Sequence, residues 1–441
     1  MPEPLSALVL PDRVAPEALF LALEHSCSDL FWLDAGADAS EGWSFIGTGT
    51  PGPFPAEARI DGSTPNAGSI PLLRGGWVGW YDYETGARAA GAPVSDGADA
   101  LGGAWLRVSQ LAAFDHATGT VRVAAAAADL DDWVAFVLGV ASSETSLEAP
   151  AVGTSGSAPA EARHTPTEYA GLIERCRELI RAGIAYQLCL TTRFTVPGAH
   201  DDVTVYRRLR AATPAHHGGF IRIGGRSLLS ASPEQFLHAE KGVIRTRPIK
   251  GTRPRGRDAA HDAALAAELA ADPKERAENV MIVDLMRNDL SRVCRPGSIR
   301  VDALWAVETY PAVHQLVSAV SGTADPGTTA GALLEATFPA GSMTGAPKLS
   351  AMTRLHELEG GPRGIYAGCF GYIGDEGTLD LAMVIRSIVI DGAGAVVGAG
   401  GGITWRSVAA SEVAEVATKA HAPLAALGVE MPAAWASDIL N

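Results

Sequence analysis

Three groups of residues in this 441-residue chain have the types and spacing that can do chemistry. The first is a lysine, Lys250, inside Arg247-Pro248-Ile249-Lys250-Gly251-Thr252-Arg253-Pro254-Arg255-Gly256. A lysine amine becomes a usable nucleophile when desolvation or neighbouring cations lower its pKa. Nearby arginines supply cations, the prolines fix the backbone, and Gly251 admits a close approach. The same stretch also fits a basic surface loop that grips a phosphate or carboxylate. The second group is two E-x-x-E turns, Glu275 with Glu278 and Glu412 with Glu415. Residues three apart share a helix face, so two such turns on different helices can face each other. Clustered carboxylates repel unless a hard cation sits among them, and Mg2+ takes oxygen ligands while leaving positions for water or substrate. Two plainer readings stand beside this one. Glu275 fits a capping box, and Lys419, four residues after Glu415, fits an ordinary helical ion pair. The third group is Arg386 in an apolar run, which requires an anion, either a protein carboxylate or a ligand carboxylate.

The elements that position these residues follow from local signals. Asp272 as N-cap, Pro273 at the first helical position and Glu275 two residues on predict a helix running to about residue 288. A second helix begins near Ser411. Residues 167–183 have helical periodicity, with Tyr169, Leu172, Ile173, Cys176 and Ile180 on one face and Gly183 as the stop. Residues 185–194 read as a strand in which Gln187 is an inward polar residue, the plain expectation being a buried and satisfied amide. Residues 220–229 and 235–239 read as further strands, with Glu234 in the turn between them. Residues 366–372 and 379–390 read as two more. Two small-residue loops, 339–348 and 397–403, have backbone N–H groups able to cradle an anion, and the first opens a helix. Neither matches a phosphate loop or a dinucleotide fingerprint.

The N-terminal 141 residues alternate apolar runs with Gly and Pro and carry no acid–base or metal spacing; they read as a β-rich domain. Residues 142–163 are rich in Ser, Ala, Pro, Gly and Glu and read as a linker or loop, and 164–430 as the chemical region, both halves forming one joint sandwich. A net charge of −15 argues against a nucleic-acid binder. The five cysteines are widely spaced with no CxxC pair, which fits a reducing cytoplasm and no zinc or disulfide framework. Neither a signal peptide nor a membrane span is read.

Taken together, Ser232-Pro233-Glu234, Pro248-Ile249-Lys250-Gly251-Thr252, residues 278–289 (ENVMIVDLMRND), His314, the GSMTGAPK loop, Tyr366, Ile385-Arg386-Ser387 and residues 412–419 occur in one order. That order resembles the chorismate-utilising enzymes, which include component I of anthranilate and aminodeoxychorismate synthases and the salicylate and isochorismate synthases. The resemblance implies an α+β fold of two antiparallel β-sheets packed as a sandwich with helices outside and the active site in the cleft. It implies that Glu275, Glu278, Glu412 and Glu415 form a Mg2+ shell. The ion would hold the ring carboxylate of chorismate, helped by the backbone of Gly400, Gly401 and Gly402. Tyr366 and Arg386 look like the clamp on the enolpyruvyl carboxylate, and Thr344, His314 and Lys419 like pocket-lining residues. Glu234 looks like the general acid for the departing 4-hydroxyl.

Two positions discriminate within the family. Relatives that use water carry a Lys base where Gln187 stands, and a Gln cannot deprotonate water. Anthranilate synthases usually carry Ala where Lys250 stands, whereas enzymes that aminate C4 carry Lys. The resemblance therefore implies C4 amination with Lys250 as covalent catalyst, the alternatives being 2-amination with or without anthranilate formation, or an inactive glutaminase-binding scaffold. It also implies ammonia from a separate glutamine amidotransferase subunit and a downstream aminodeoxychorismate lyase leading to 4-aminobenzoate and folate. The N-terminal region resembles the family's tryptophan-binding part, but Leu33-Asp34-Ala35-Gly36 lacks its serine, so tryptophan inhibition is not expected. Residues 405–409 replace an acidic segment common before the last helix.

Overall fold

Strands rich in aromatic and β-branched residues, with small residues where backbones approach, build the frame. The computed structural model describes residues 5–11, 13–64, 73, 75–95, 103–141, 159–213, 215–310 and 313–436. The long strand Ala104–Asp115 pairs along one edge with Trp43–Gly52, and along the other with Gly76–Tyr81 and Thr120–Ala125. Two runs leave this branch point. One passes from Trp43–Gly52 through Leu30–Asp34, His217–Ile223, Arg226–Ser232, Ser387–Asp391 and Gly394–Ile403 to Gln187–Pro197. The other passes from Gly76–Tyr81 through Cys369–Gly374, Leu379–Met383, Gln235–Glu240 and Val243–Thr246 to Val313–Thr323, which Ile249–Pro254 and Arg300–Thr309 flank. Every pairing between the described strands is antiparallel. The expected two sheets are therefore present, and they are continuous through one strand.

Alternation along the strands divides the core into three. Phe31 joins Phe45, Trp80, Leu106, Ile221 and Phe370 in one cluster drawn from both runs. Its neighbour Trp32 points the other way, to Phe20, Tyr169, Tyr206 and Phe220, where the first run meets helices Pro16–Glu24, Pro166–Arg181 and Asp202–Ala212. Phe236, Ile282, Val283, Leu333 and Phe338 pack the second run against helices Pro273–Leu290 and Ala330–Thr337. Each such side chain, fully buried, contributes about 1.5–3 kcal/mol.

The helix predicted over 167–183 is Pro166–Arg181, opened by a capping box between Thr165 and Glu168. The one predicted from Asp272 is Pro273–Leu290, and the one predicted near Ser411 is Ala409–Ala426. Two expectations are corrected. Residues 142–158 of the predicted linker lie outside the described residues, but its end is not linker: Glu161–Ala162 is a short strand paired with Thr195 and Phe194. The single strand predicted over 379–390 is two, Leu379–Met383 and Ser387–Asp391, in different runs.

That second break has a counterpart. The chain passes from the first run to the second between Ser232 and Gln235, and back again between Met383 and Ser387. The two crossings lie side by side, Met383 N donating to Glu234 O at 3.0 Å and Ala231 N to Arg386 O at 3.2 Å. Crossing segments leave the ladders, which frees Glu234 and Arg386 from the in–out alternation of a strand. Among the described residues, no helix is long and apolar enough to cross a membrane.

Candidate active site

The strand Gly394–Ile403 is the floor on which the predicted residues meet. Its glycines are required by what stands over them. A Cβ at Gly402 would lie 2.5 Å from Gln187 Nε2 and 3.4 Å from Lys250 Nζ. One at Gly401 would lie 3.3 Å from Glu412 Oε2 and 4.0 Å from Glu415 Oε1, and one at Gly398 would enter the Tyr366 ring at 2.1 Å. Gly400 O accepts from Lys419 Nζ at 2.8 Å, and the same ammonium pairs with Glu415 at 2.6 Å. This one strand thus gathers Gln187, Lys250, Tyr366, Glu412, Glu415 and Lys419.

Lys250 lies in the strand Ile249–Pro254 rather than in a loop, and the register shifts between Ile249 and Thr252. Gly251 sits there at φ +77°, and a Cβ on it would come within 2.9 Å of Glu275 Cγ, so only glycine fits. The flanking arginines do not supply the cationic surroundings expected for Lys250. Arg247 pairs with Glu308, Arg253 with Glu268 and Asp272, and Arg255 with Asp262. Burial works against the Lys250 charge, but Glu278, Cys189, Glu234 and Glu415 outweigh it, and the amine is held above the ordinary lysine range. In the free chain Lys250 is an ammonium.

The four glutamates come from two helices on different runs. Pro273–Leu290 packs on Ile249–Pro254 and Val313–Thr323, and Ala409–Ala426 on Gly394–Ile403. Asp272 caps the first by accepting from Lys274 N and Glu275 N at 2.9 and 3.2 Å. Burial pushes Glu275, Glu278 and Glu412 toward the protonated form; for Glu415 burial is outweighed by Lys419, and its pKa falls. Among the described residues no three acidic, His or Cys groups already converge as a metal cluster. Two features nevertheless fit a hard cation. The donors are all carboxylate oxygens, and Glu278 Oε1, on a side chain only 11% exposed, has no hydrogen-bond partner. The nearest charge to it is Lys274 Nζ, 3.9 Å away and 3.7 Å from Glu412 Oε1.

Glu234 is buried at its crossing, and its Oε1 accepts from Ser342 Oγ at 3.1 Å. Burial raises its pKa, and Lys250, the Ser342 hydroxyl and Lys419 pull it back only in part, so it stays above the usual carboxylate range. Sequence reasoning singled out the loop around Ser342 as an anion cradle and missed the serine itself. The other polar groups of that loop are spent on the frame. Thr344 Oγ1 donates to Ala340 O at 3.1 Å, and Lys348 Nζ reaches Asp289 at 2.7 Å and Thr337 O at 3.0 Å.

Arg386 sits at φ +52°, and among the described residues no carboxylate lies within ion-pair distance of its guanidinium. Burial lowers its pKa, with Tyr366 and Glu415 nearby working against that. Of the two readings of this arginine, a ligand carboxylate is the one its surroundings leave open. Gln187 is fully buried, and both its Nε2 and its Oε1 lack partners, which corrects the expectation of a satisfied amide. His314 is placed differently from the rest. Its ring nitrogens meet Thr309 Oγ1 and Asp262 Oδ1, each at 2.9 Å.

A separate cavity of about 590 Å³ is lined by Leu33, Trp43, His217, Pro233, Ile249 and Tyr372 among others, but by neither Glu234 nor Lys250.

Residues 53–425 match the family described as chorismate binding enzyme, and the chain belongs to that family of enzymes. It is 40% identical over 375 residues to an aminodeoxychorismate synthase of Streptomyces pristinaespiralis, which covers 82% of this chain and 52% of that protein. It is 38% identical over 376 residues to anthranilate synthase component 1 of Streptomyces coelicolor, covering 81% and 74%. The chain spans about half the length of the aminodeoxychorismate synthases it matches. In structure it resembles anthranilate synthase component I of Streptococcus pneumoniae, with a TM-score of 0.73, 28% identity and coverage of 96% and 92%.

Proposed function

We propose that this chain aminates chorismate at C4, giving 4-amino-4-deoxychorismate, with Lys250 as a covalent catalyst. The observation that carries the reading is the meeting of Lys250 Nζ and the unpartnered Gln187 amide over Gly402. An amide cannot act as the base that water addition needs, whereas an amine can bond to carbon directly. The alternative, amination at C2 as in an anthranilate synthase, has support from the Streptomyces coelicolor relative.

Lys250 and Glu234 influence each other's charge, each appearing among the causes of the other's shift. Passing one proton from Lys250 Nζ to Glu234 turns an ammonium and a carboxylate into the amine and the acid that the reaction requires. The amine attacks ring C2, the C1=C2 and C5=C6 double bonds shift to C1=C6 and C4=C5, and the C4–O bond breaks as Glu234 delivers that proton to the departing hydroxyl, releasing water. Ammonia then attacks C4, both double bonds shift back, the C2–N bond to Lys250 breaks, and the released lysine amine takes the proton that the new C4 ammonium gives up. The enolpyruvyl group is untouched, and the net change is chorismate plus ammonia to the amine plus water. Arg386 and Tyr366 hold the enolpyruvyl carboxylate in this reading. Glu275, Glu278, Glu412 and Glu415 would hold Mg2+, which supplies positive charge for the ring carboxylate beside Gly400–Gly402. In this reading ammonia comes from a glutamine amidotransferase, and a lyase acts downstream.

The test is to incubate the chain with chorismate, Mg2+ and an ammonium salt at mildly alkaline pH, and to follow products by mass spectrometry and fluorescence. A non-fluorescent product with the mass of aminodeoxychorismate, which an added lyase converts to 4-aminobenzoate, supports the reading. Anthranilate fluorescence with pyruvate release selects the alternative.

A further inference from the structure

The two glutamate pairs stand on different helices, and one cation already lies between them. Lys274 Nζ is 3.9 Å from Glu278 Oε1 and 3.7 Å from Glu412 Oε1, one carboxylate from each helix. Lys274 is anchored at the start of its helix, where Asp272 accepts its backbone N–H at 2.9 Å, and its side chain is 46% exposed, so the ammonium has room to swing outward. Both distances exceed those of a hydrogen bond. They leave Glu278 Oε1 buried and without a hydrogen-bond partner among the described residues, its charge offset at a distance by Lys250 and Lys274. Glu415, the member of the set with its own close lysine, pairs with Lys419 at 2.6 Å instead.

We infer that Lys274 is a resident counter-cation of the four-glutamate cluster, holding its two helices together in the free chain and giving way when a divalent cation binds. The inference rests on the metal reading given above. A univalent ammonium and a divalent ion attracted by the same two carboxylates compete, since each weakens the field that the other needs. Metal affinity is then lower than four bare carboxylates would give. The free chain in return keeps opposed carboxylates together before any metal arrives.

The experiment is isothermal titration of Mg2+ into the wild-type chain, Lys274→Gln and Lys274→Arg, with thermal unfolding in EDTA and in saturating Mg2+. Partly exposed ion pairs are each worth a factor of about two to five. Lys274→Gln should therefore bind Mg2+ about three- to tenfold more tightly. It should also unfold at lower temperature in EDTA, with a larger gain on adding Mg2+. Lys274→Arg keeps the charge and should retain wild-type affinity within about twofold. Unchanged or weaker Mg2+ binding by Lys274→Gln, with the wild type binding normally, overturns the inference and leaves the metal reading standing. A wild-type chain that binds no Mg2+ overturns both.

Discussion

Two buried charged clusters lie close together in this molecule, and they are finished to different degrees. Around Arg363 every strong group has a partner. The guanidinium, 4% exposed, donates to both oxygens of Glu359, to Met343 O and to Cys189 O, and lies 4.2 Å from the Tyr83 ring centroid. Glu359 also accepts from Thr191 N, and Glu84 accepts from Arg363 N and Gly364 N. This cluster ties the Ser342 loop, the Gln187 strand and a helix of the N-terminal half into one frame. Over Gly400–Gly402 the opposite holds. Among the described residues neither end of Gln187 nor Glu278 Oε1 has a hydrogen-bond partner, and no carboxylate lies within ion-pair distance of Arg386. Buried polar groups left open are costly, which makes the open cluster, rather than the completed one, the candidate ligand site.

The largest effect expected from this contrast is catalytic. Lys250→Ala should lower formation of the 4-amino product by on the order of 10³-fold or more, read by product mass spectrometry, with little change in unfolding temperature. Unchanged turnover would remove the covalent role. Next, Arg363→Met should destabilise the chain by about 3–5 kcal/mol, because it strands Glu359 in the interior. Chemical denaturation reads this directly, and a loss under about 1 kcal/mol would show that the frame does not depend on the cluster. Glu234 gives a pH signature. Its folded pKa is raised, so folding favours its proton, and stability is lost as pH rises from the unfolded value of about 4.3 through the folded one. Glu234→Gln should therefore gain stability over wild type as pH rises above the unfolded value, while losing about 10²–10⁴-fold in rate. A parallel pH dependence of stability in the two proteins would contradict the buried-acid assignment. Gln187→Leu tests the open cluster from the other side. Removing an unpartnered amide should raise stability by about 1 kcal/mol while activity falls, and a loss of stability would mean the amide is satisfied after all. The smallest effect is expected at Ser342→Ala, about three- to tenfold in kcat/KM, from loss of one hydrogen bond to Glu234.

Local signals carried the helices well. Asp272 followed by Pro273 marked a helix start, and the E-x-x-E turns and the glycine run at 400–402 were readable as types and spacings. What eluded the sequence was long-range pairing. The arginines flanking Lys250 are its neighbours in sequence, but they are neutralised by Glu308, Glu268, Asp272 and Asp262, and the carboxylates of Glu278, Glu234 and Glu415 act on the amine instead. Ser342 meets Glu234 across 108 positions, and Glu84 meets Arg363 across 279. The break at Arg386 is not legible in the sequence because a left-handed conformation at a non-glycine residue leaves no compositional mark. Such sites form where local preference yields to the fold.

The central claim is a bond between Lys250 and the substrate ring. The direct measurement is intact-protein and peptide mass spectrometry of the chain incubated with chorismate and Mg2+ without ammonia, quenched rapidly. The expected result is a mass gain of one chorismate less one water, located on the peptide that contains Lys250 and discharged when an ammonium salt is added. Steady turnover to the 4-amino product with no such adduct, or with the adduct on another residue, would contradict it.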